Sequence, residues 1–387
     1  MLAAGAAPIL FAAPLARAQV SRVEVPFQLR SNQPITRLTI NGRGPYNFLI
    51  DTGARGFALT DTLATELNLA VLGQGTSQGA VGRSLVTVYQ ARAVFVEGGL
   101  RDRNVQMAAL PAIRGASFQG LFPMPRGAAE LGFDWERSRF IVDQRPPSEH
   151  AGYERMRASM ETDVAVRGSR AGTDQSPRLQ VRINGRPATL LIDTGAQGAL
   201  FLKPDFVRAN NLWDASPRFR DGASSGTAGA FRTRLAPLDS LEIGRFRFDE
   251  LPATLGNPED AGRDGWGEYD GLLGMEVLRR LNFFLKPRRD ELWVRANRFL
   301  DDIYRYDRSG MSLAWRDDSV VITHVREGGP AARAGLKAED VIAAAPAASL
   351  LALEALLTEQ AGTPVPMTIR REGAAPRDVT VVLADAY

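Results

Sequence analysis

Phe48-Leu49-Ile50-Asp51-Thr52-Gly53-Ala54 and Leu190-Leu191-Ile192-Asp193-Thr194-Gly195-Ala196 are two copies of one short string. In each, apolar strand-forming residues run directly into an aspartate, and a glycine follows two positions later where the backbone can turn tightly. One Asp-Thr-Gly is weak evidence, since such a tripeptide is commonly a turn in which the aspartate bonds its own backbone. Two copies, one in each half of a duplicated segment, are what a symmetric site needs to set two carboxylates face to face.

The duplication extends outward from the motif. Arg37-Leu38-Thr39-Ile40-Asn41-Gly42-Arg43 precedes Asp51, and Arg182-Ile183-Asn184-Gly185-Arg186 precedes Asp193. Asn-Gly between apolar runs signals a tight hairpin, so each copy is predicted to deliver its aspartate at the end of a second strand. The aspartates are 142 positions apart and the asparagines 143, a slip of one residue within the hairpin. Downstream each copy offers a short helix, at Asp61 to Leu67 and at Pro204 to Asn210. Glycine-rich alternating segments follow near 73–88 and 222–235, then further valine- and phenylalanine-containing strands.

Later still, Gln119-Gly120-Leu121-Phe122-Pro123 stands in the first copy where Asp270-Gly271-Leu272-Leu273-Gly274 stands in the second. These residues resemble the aspartic protease superfamily, in particular bacterial proteins with paired retropepsin-like lobes. The resemblance implies a mainly β fold of two pepsin- or retropepsin-like β-barrel lobes related by a pseudo-two-fold axis. It also implies that an apolar-apolar-Gly segment crosses under each Asp-Thr-Gly loop. Leu272-Leu273-Gly274 fits that pattern, and Pro123 in place of the glycine departs from it. In the family the glycine-rich hairpins, here near Gly79-Ala80-Val81-Gly82 and Gly226-Thr227-Ala228-Gly229, fold over substrate as flaps; no aromatic anchor sets their register in this chain.

Composition narrows the chemistry. With 387 residues, 44% hydrophobic and 24% charged, the chain is long enough for two or three cores and too apolar for disorder. A net charge of +3 with basic residues dispersed along the chain gives nucleic-acid binding little support. Zero cysteines exclude disulfides, thiol nucleophiles and thiolate metal sites. A serine triad needs a histidine, and the two present are His150 in a Pro-rich stretch and His324 in a separate C-terminal region. No His-Glu-x-x-His cluster exists, and Asp221, Asp239, Asp260 and Asp264 are scattered among arginines and glycines, so neither a metal nor another cofactor is expected.

The chain divides into six parts. Residues 1–18 look like an export signal, with an alanine-rich apolar run and Ala16-Arg17-Ala18 as a small-x-small cleavage site, although no basic residue precedes the run. The expected location is periplasmic or secreted, and an uncleaved signal would leave a membrane tether. Residues 19–145 and 178–300 are the two lobes, joined by a polar connector at 146–177 that lacks sustained periodicity but has room for a strand. A linker at 301–309 leads to 310–387, where Gly328-Gly329-Pro330-Ala331-Ala332 and Gly335-Leu336 through Asp340-Val341-Ile342 resemble a bacterial PDZ domain of small α+β type. That resemblance puts Gly310-Met311-Ser312-Leu313 in place of the carboxylate-binding loop, with Ser312 where a second glycine is usual. Leucines at 350, 351, 353, 356 and 357 have helical spacing and would line a groove. Such a domain would take an extended peptide or a protein C-terminus as an added strand, or else simply pack on the lobes.

The chemistry expected of the duplicated motif follows from charge. Two carboxyls about 3 Å apart cannot both ionise readily, so Asp51 and Asp193 would share one proton over a water and act as acid and base on a polypeptide substrate. Thr52 and Thr194 suit buried positions from which each hydroxyl bonds the opposite loop, and Gly53 and Gly195 let the backbone turn and its amides approach the carboxylates. Ala54 and Ala196 cannot offer the hydroxyl that a serine or threonine there would, so the pair is expected to titrate high and to work at weakly acidic to neutral pH. Two further readings stay open: a peptide-binding or assembly protein on the same fold without turnover, and pairing of whole chains, which the internal duplication makes unnecessary.

Overall fold

The computed structural model describes residues 21–78, 83–110, 118–162, 175–226, 229–262, 269–316, 319–347 and 350–385. The expected signal at 1–18 and the flap tip at 79–82 lie outside the described residues, as do Thr227 and Ala228 of the second tip.

Both expected hairpins form. Gln33–Ile40 pairs with Arg43–Asp51, and Gln175–Ile183 with Arg186–Ile192. The turn residues have φ of 51° and 80° at Asn41 and Gly42, and 49° and 74° at Asn184 and Gly185. Paired positive φ values give the turn whose twist matches its strands, and asparagine and glycine tolerate them best. Asn41 and Asn184 also accept backbone N–H bonds from Ala93 and Ser240, each 3.1 Å or shorter, which fixes each turn against the next hairpin of its own lobe.

Each aspartate strand then meets a parallel neighbour. Phe48, Leu49, Ile50 and Asp51 lie beside Gly120, Leu121, Phe122 and Pro123, while Leu190, Leu191 and Ile192 lie beside Gly271, Leu272 and Leu273. Pro123 therefore occupies its place under Asp51 despite its departure from the pattern. What differs is the continuation: Gly274 caps a buried one-turn helix, Met275–Leu278, whereas Pro123 is followed by turns. The two expected helices appear as Asp61–Glu66, capped by the Thr60 hydroxyl, and Pro204–Ala209, with proline in its first turn. The glycine-rich segments become the arms of long hairpins, Ala70–Gln78 with Arg83–Val96 and Arg220–Gly226 with Gly229–Ile243.

The lobes are joined by strands whose pairing is not apparent from the duplication. Glu130–Asp134 of the first lobe pairs with Leu281–Lys286 of the second, Leu131 opposite Leu285 and Phe133 opposite Phe283. Arg139–Asp143 and Arg22–Pro26 flank this pair on one side, Glu291–Ala296 on the other, and the whole is continuous with the second lobe as a thirteen-stranded sheet. The stretch 146–177 contributes to it: Glu154–Thr162 pairs with both Glu291–Ala296 and Gln175–Ile183. Phe27, Phe133, Trp135, Phe140 and Phe283 pack together here, and the Trp135 indole donates to the Leu281 carbonyl at 3.0 Å. Their core is contiguous with those of both lobes.

Residues from Met311 onward build a separate five-stranded sheet, ordered Met311–Arg316, Ser319–Val325, Val341–Ala344, Pro364–Arg370, Arg377–Val382, with its own apolar core. Leu353 and Leu357, on and just past the helix Leu350–Leu356, are buried in that core.

Candidate active site

The two Asp-Thr-Gly loops meet at the junction of the lobes. Thr52 and Thr194 are buried and bond reciprocally: each hydroxyl accepts the other threonine's backbone N–H at 3.0 Å and donates to a carbonyl of the opposite strand at 2.7 Å, Thr52 to Ile192 and Thr194 to Ile50. Every polar group of this lattice is satisfied, so it holds the loops in one register.

Above it the carboxyls face each other. Gly53 donates to Asp51 Oδ1 at 2.8 Å and Ala54 to the same oxygen at 2.9 Å, while Gly195 donates to Asp193 Oδ1 at 2.8 Å. The glycines serve close approach and not an unusual turn. Neither has a φ in the left-handed region, but a Cβ on Gly53 would lie 2.8 Å from Asp193 Oδ1, and one on Gly195 2.8 Å from Asp51 Oδ2. Glycine is needed because the opposite carboxyl occupies the space of a side chain.

Electrostatics follow from the placement. Both residues keep part of their surface open, yet their carboxyls sit deep in the protein. Burial pushes Asp51 up from the ordinary carboxylate range, the charge of Asp193 pushes it further, and the Gly53 and Ala54 amides oppose both. Burial likewise raises Asp193, against the amides of Gly195 and Ala196. The two carboxyls interact and their surroundings are near-symmetric, so the pair titrates as a unit and shares its proton. The rise comes first from burial, and Ala54 and Ala196 enter only through their backbone amides, which oppose it. Next to Thr52 lies a small void with an apolar lining that includes Ile192, Phe133, Phe140 and Phe283.

The aspartyl protease family profile matches this chain twice, over residues 36–134 and 179–277. The chain belongs to the aspartyl protease family. Each matched segment carries one Asp-Thr-Gly loop and the parallel strand beneath it. The crystal structure of basic 7S globulin from soybean aligns over 71% of this chain and 94% of its own, with 10% identity and a TM-score of 0.43. No curated protein matches.

Other residues singled out in the sequence lie elsewhere. His150 stacks on Phe284 with ring centroids 4.1 Å apart and sits 2.6 Å from Glu130, and His324 is in the C-terminal sheet. Of the four loop residues at the start of that sheet, Gly310 gives its amide to Asp307 at 3.0 Å and Met311 gives its own to the Ser309 hydroxyl at 3.2 Å. The Met311 side chain is buried, and the strand bulges between Ser312 and Leu313.

The repeat did not disclose a turn of the first lobe that reaches the second. Gln33 donates to the Gly195 carbonyl at 2.7 Å and accepts from the Gln197 side chain at 3.2 Å, and Asn32 donates to the Gln197 carbonyl at 2.8 Å. Positive φ at Ser31 and Asn32 is the only local trace of this turn, and its target lies more than 160 positions away.

Proposed function

We propose that this protein is an aspartic endopeptidase in which Asp51 and Asp193 activate a water to hydrolyse peptide bonds of a polypeptide substrate. One observation carries the reading: two carboxyls from separate lobes face each other over a reciprocal threonine lattice, so close that a Cβ on Gly53 would lie 2.8 Å from Asp193 Oδ1 and one on Gly195 2.8 Å from Asp51 Oδ2.

The ionised carboxylate takes a proton from water as the water oxygen bonds to the scissile carbonyl carbon. The protonated carboxyl gives its proton to the carbonyl oxygen, so a neutral tetrahedral diol forms and the dyad has exchanged roles. Collapse breaks the C–N bond: the newly protonated carboxyl gives its proton to the leaving nitrogen, and the other takes one back from a diol hydroxyl. The products are a carboxylic acid and an amine, and the dyad again holds one proton.

The division into two lobes, a connector and a C-terminal PDZ-like domain is part of the same proposal. The strand Met311–Arg316 pairs with one neighbour among the described residues, so it offers an edge for an added strand of substrate or partner. The export-like composition of residues 1–18 supports action in the periplasm or outside the cell.

The test is digestion of an unfolded protein by the wild type and by Asp51→Asn and Asp193→Asn. Cleavage by the wild type and loss of it in both variants is expected. Undiminished cleavage by either variant would remove the dyad from the mechanism.

A further inference from the structure

Glu276 is a carboxylate with no surface exposure, two positions after the glycine that ends the strand beneath Asp193. Burying a charge is costly unless it is paired and hydrogen-bonded, so its partners indicate its use. Oε1 accepts from the Asn32 side chain at 2.8 Å and lies 3.5 Å from the Arg279 guanidinium. Oε2 accepts from the Arg305 backbone N–H at 2.9 Å and from Arg280 at 3.4 Å. One carboxylate thus joins three separate segments: the first-lobe turn, its own helix Met275–Leu278, and the strap that leads to the C-terminal sheet.

Each arm continues to something fixed. Arg280 is itself buried and donates to the carbonyls of Phe299, Leu300, Asp302 and Ile303, lacing the strap down, while Arg279 pairs with Asp302 at 2.6 Å. The helix is seated on the Asp193 loop through Met275 N–H to the Ala196 carbonyl at 2.8 Å and Glu276 N–H to the Gly198 carbonyl at 3.1 Å. Asn32 also donates to the Gln197 carbonyl, and its neighbour Gln33 to the Gly195 carbonyl. Nothing in this chain of contacts reaches the carboxyls of Asp51 or Asp193. All of it bears on the backbone that aims Asp193.

We propose that Glu276 is a positioning residue of the protease, which clamps the Asn32 turn of the first lobe against the Asp193 loop and ties that loop to the strap 297–305. The inference rests on the reading that Asp51 and Asp193 carry out turnover. It adds that the strap is part of the catalytic unit. Loosening the clamp lets the Asp193 loop drift from Asp51, which weakens both the burial and the mutual repulsion that hold the dyad's proton.

The test is full-chain enzyme acting on a short peptide. Glu276→Gln removes the charge but also leaves two buried arginines underpaired, so a loss of activity in it does not separate positioning from folding. Asn32→Gly breaks the clamp from the outer side without backbone strain, because Asn32 already has φ of 60°. For Asn32→Gly, with a native-like circular dichroism spectrum, kcat is expected to fall about tenfold or more with KM little changed, given the sensitivity of such geometry to small displacements. The alkaline limb of its pH–rate profile is expected to move toward lower pH. A merely structural residue would lower the melting temperature and leave the profile of the folded enzyme in place. An unchanged kcat and profile in folded Asn32→Gly overturns the role of Glu276 alone. A wild type without peptidase activity overturns the parent reading, and this one with it.

Discussion

At the scale of the residue, the dyad sets a pH dependence that can be signed. Both carboxyls are raised in the folded protein by burial, and for Asp51 also by its partner's charge. Above the unfolded carboxyl value of about 4 the folded state binds more protons than the unfolded state, so stability must fall as pH rises. The dyad's contribution is complete below that value and is lost as pH rises through the raised folded one. Asp51→Asn, which cannot ionise, should flatten the fall. Melting temperatures of wild type and variant are expected to diverge from weakly acidic toward neutral pH, with the variant the more stable. Parallel melting curves across that range would show that the carboxyls are not raised. For the proposed peptidase the same shift predicts turnover at weakly acidic to neutral pH, and a rate profile confined to strong acid would contradict it.

At the scale of the element, glycines in the strands beneath the dyad set how closely neighbours approach. A Cβ on Gly120 would lie 2.3 Å from the Ala58 carbonyl oxygen, and one on Gly271 2.2 Å from that of Phe201. Both contacts are with backbone of the adjacent strand, which cannot move aside as a side-chain tip can. Gly120→Ala and Gly271→Ala are each expected to cost about 1–3 kcal/mol or more of stability in urea unfolding, the range of overpacked cores. Gly56→Ala, with open space around the same position and no left-handed φ, should be close to neutral. These paired glycines were visible in the aligned Gln119-Gly120-Leu121 and Asp270-Gly271-Leu272. The turns at Asn41-Gly42 and Asn184-Gly185 were equally visible, because a turn is decided by the residues inside it. The helix Met275–Leu278 was not, since four residues carry no period and its seat on the Asp193 loop is a tertiary contact.

At the scale of the whole molecule, the strap and the C-terminal sheet are bound more tightly than a passive linker would be. The Arg308 side chain is buried, donating to the Thr358 carbonyl at 2.9 Å and Asp385 at 3.0 Å, while Asp307 holds Arg220 at the base of the second-lobe hairpin at 2.6 Å. Deleting 310–387 is expected to lower cleavage of protein substrates further than cleavage of short peptides, measured side by side on the full and shortened chains. Equal losses would argue that the domain only buttresses the lobes. The joint between the lobes has a similar character: Gly132 lies against the Phe284 ring, and Phe133 packs on Phe283 across the shared sheet.

By itself the sequence determined that the chain is duplicated, that each half turns at Asn-Gly and ends a strand on Asp-Thr-Gly, and that it holds no thiol and no His-Glu-x-x-His cluster. Those properties reside in neighbouring residues and inventory, which the chain carries before it folds. Only the tertiary structure decided that the lobes share a sheet through Leu131 and Leu285, that a buried glutamate links the strap to the Asp193 loop, and that Gly53 and Gly195 are needed for the opposite carboxyl. Each of those depends on groups distant along the chain, from the 29 positions between Glu276 and Arg305 to the 154 between Leu131 and Leu285, whose meeting is set by packing of the assembled core and leaves no pattern in the local order of residues.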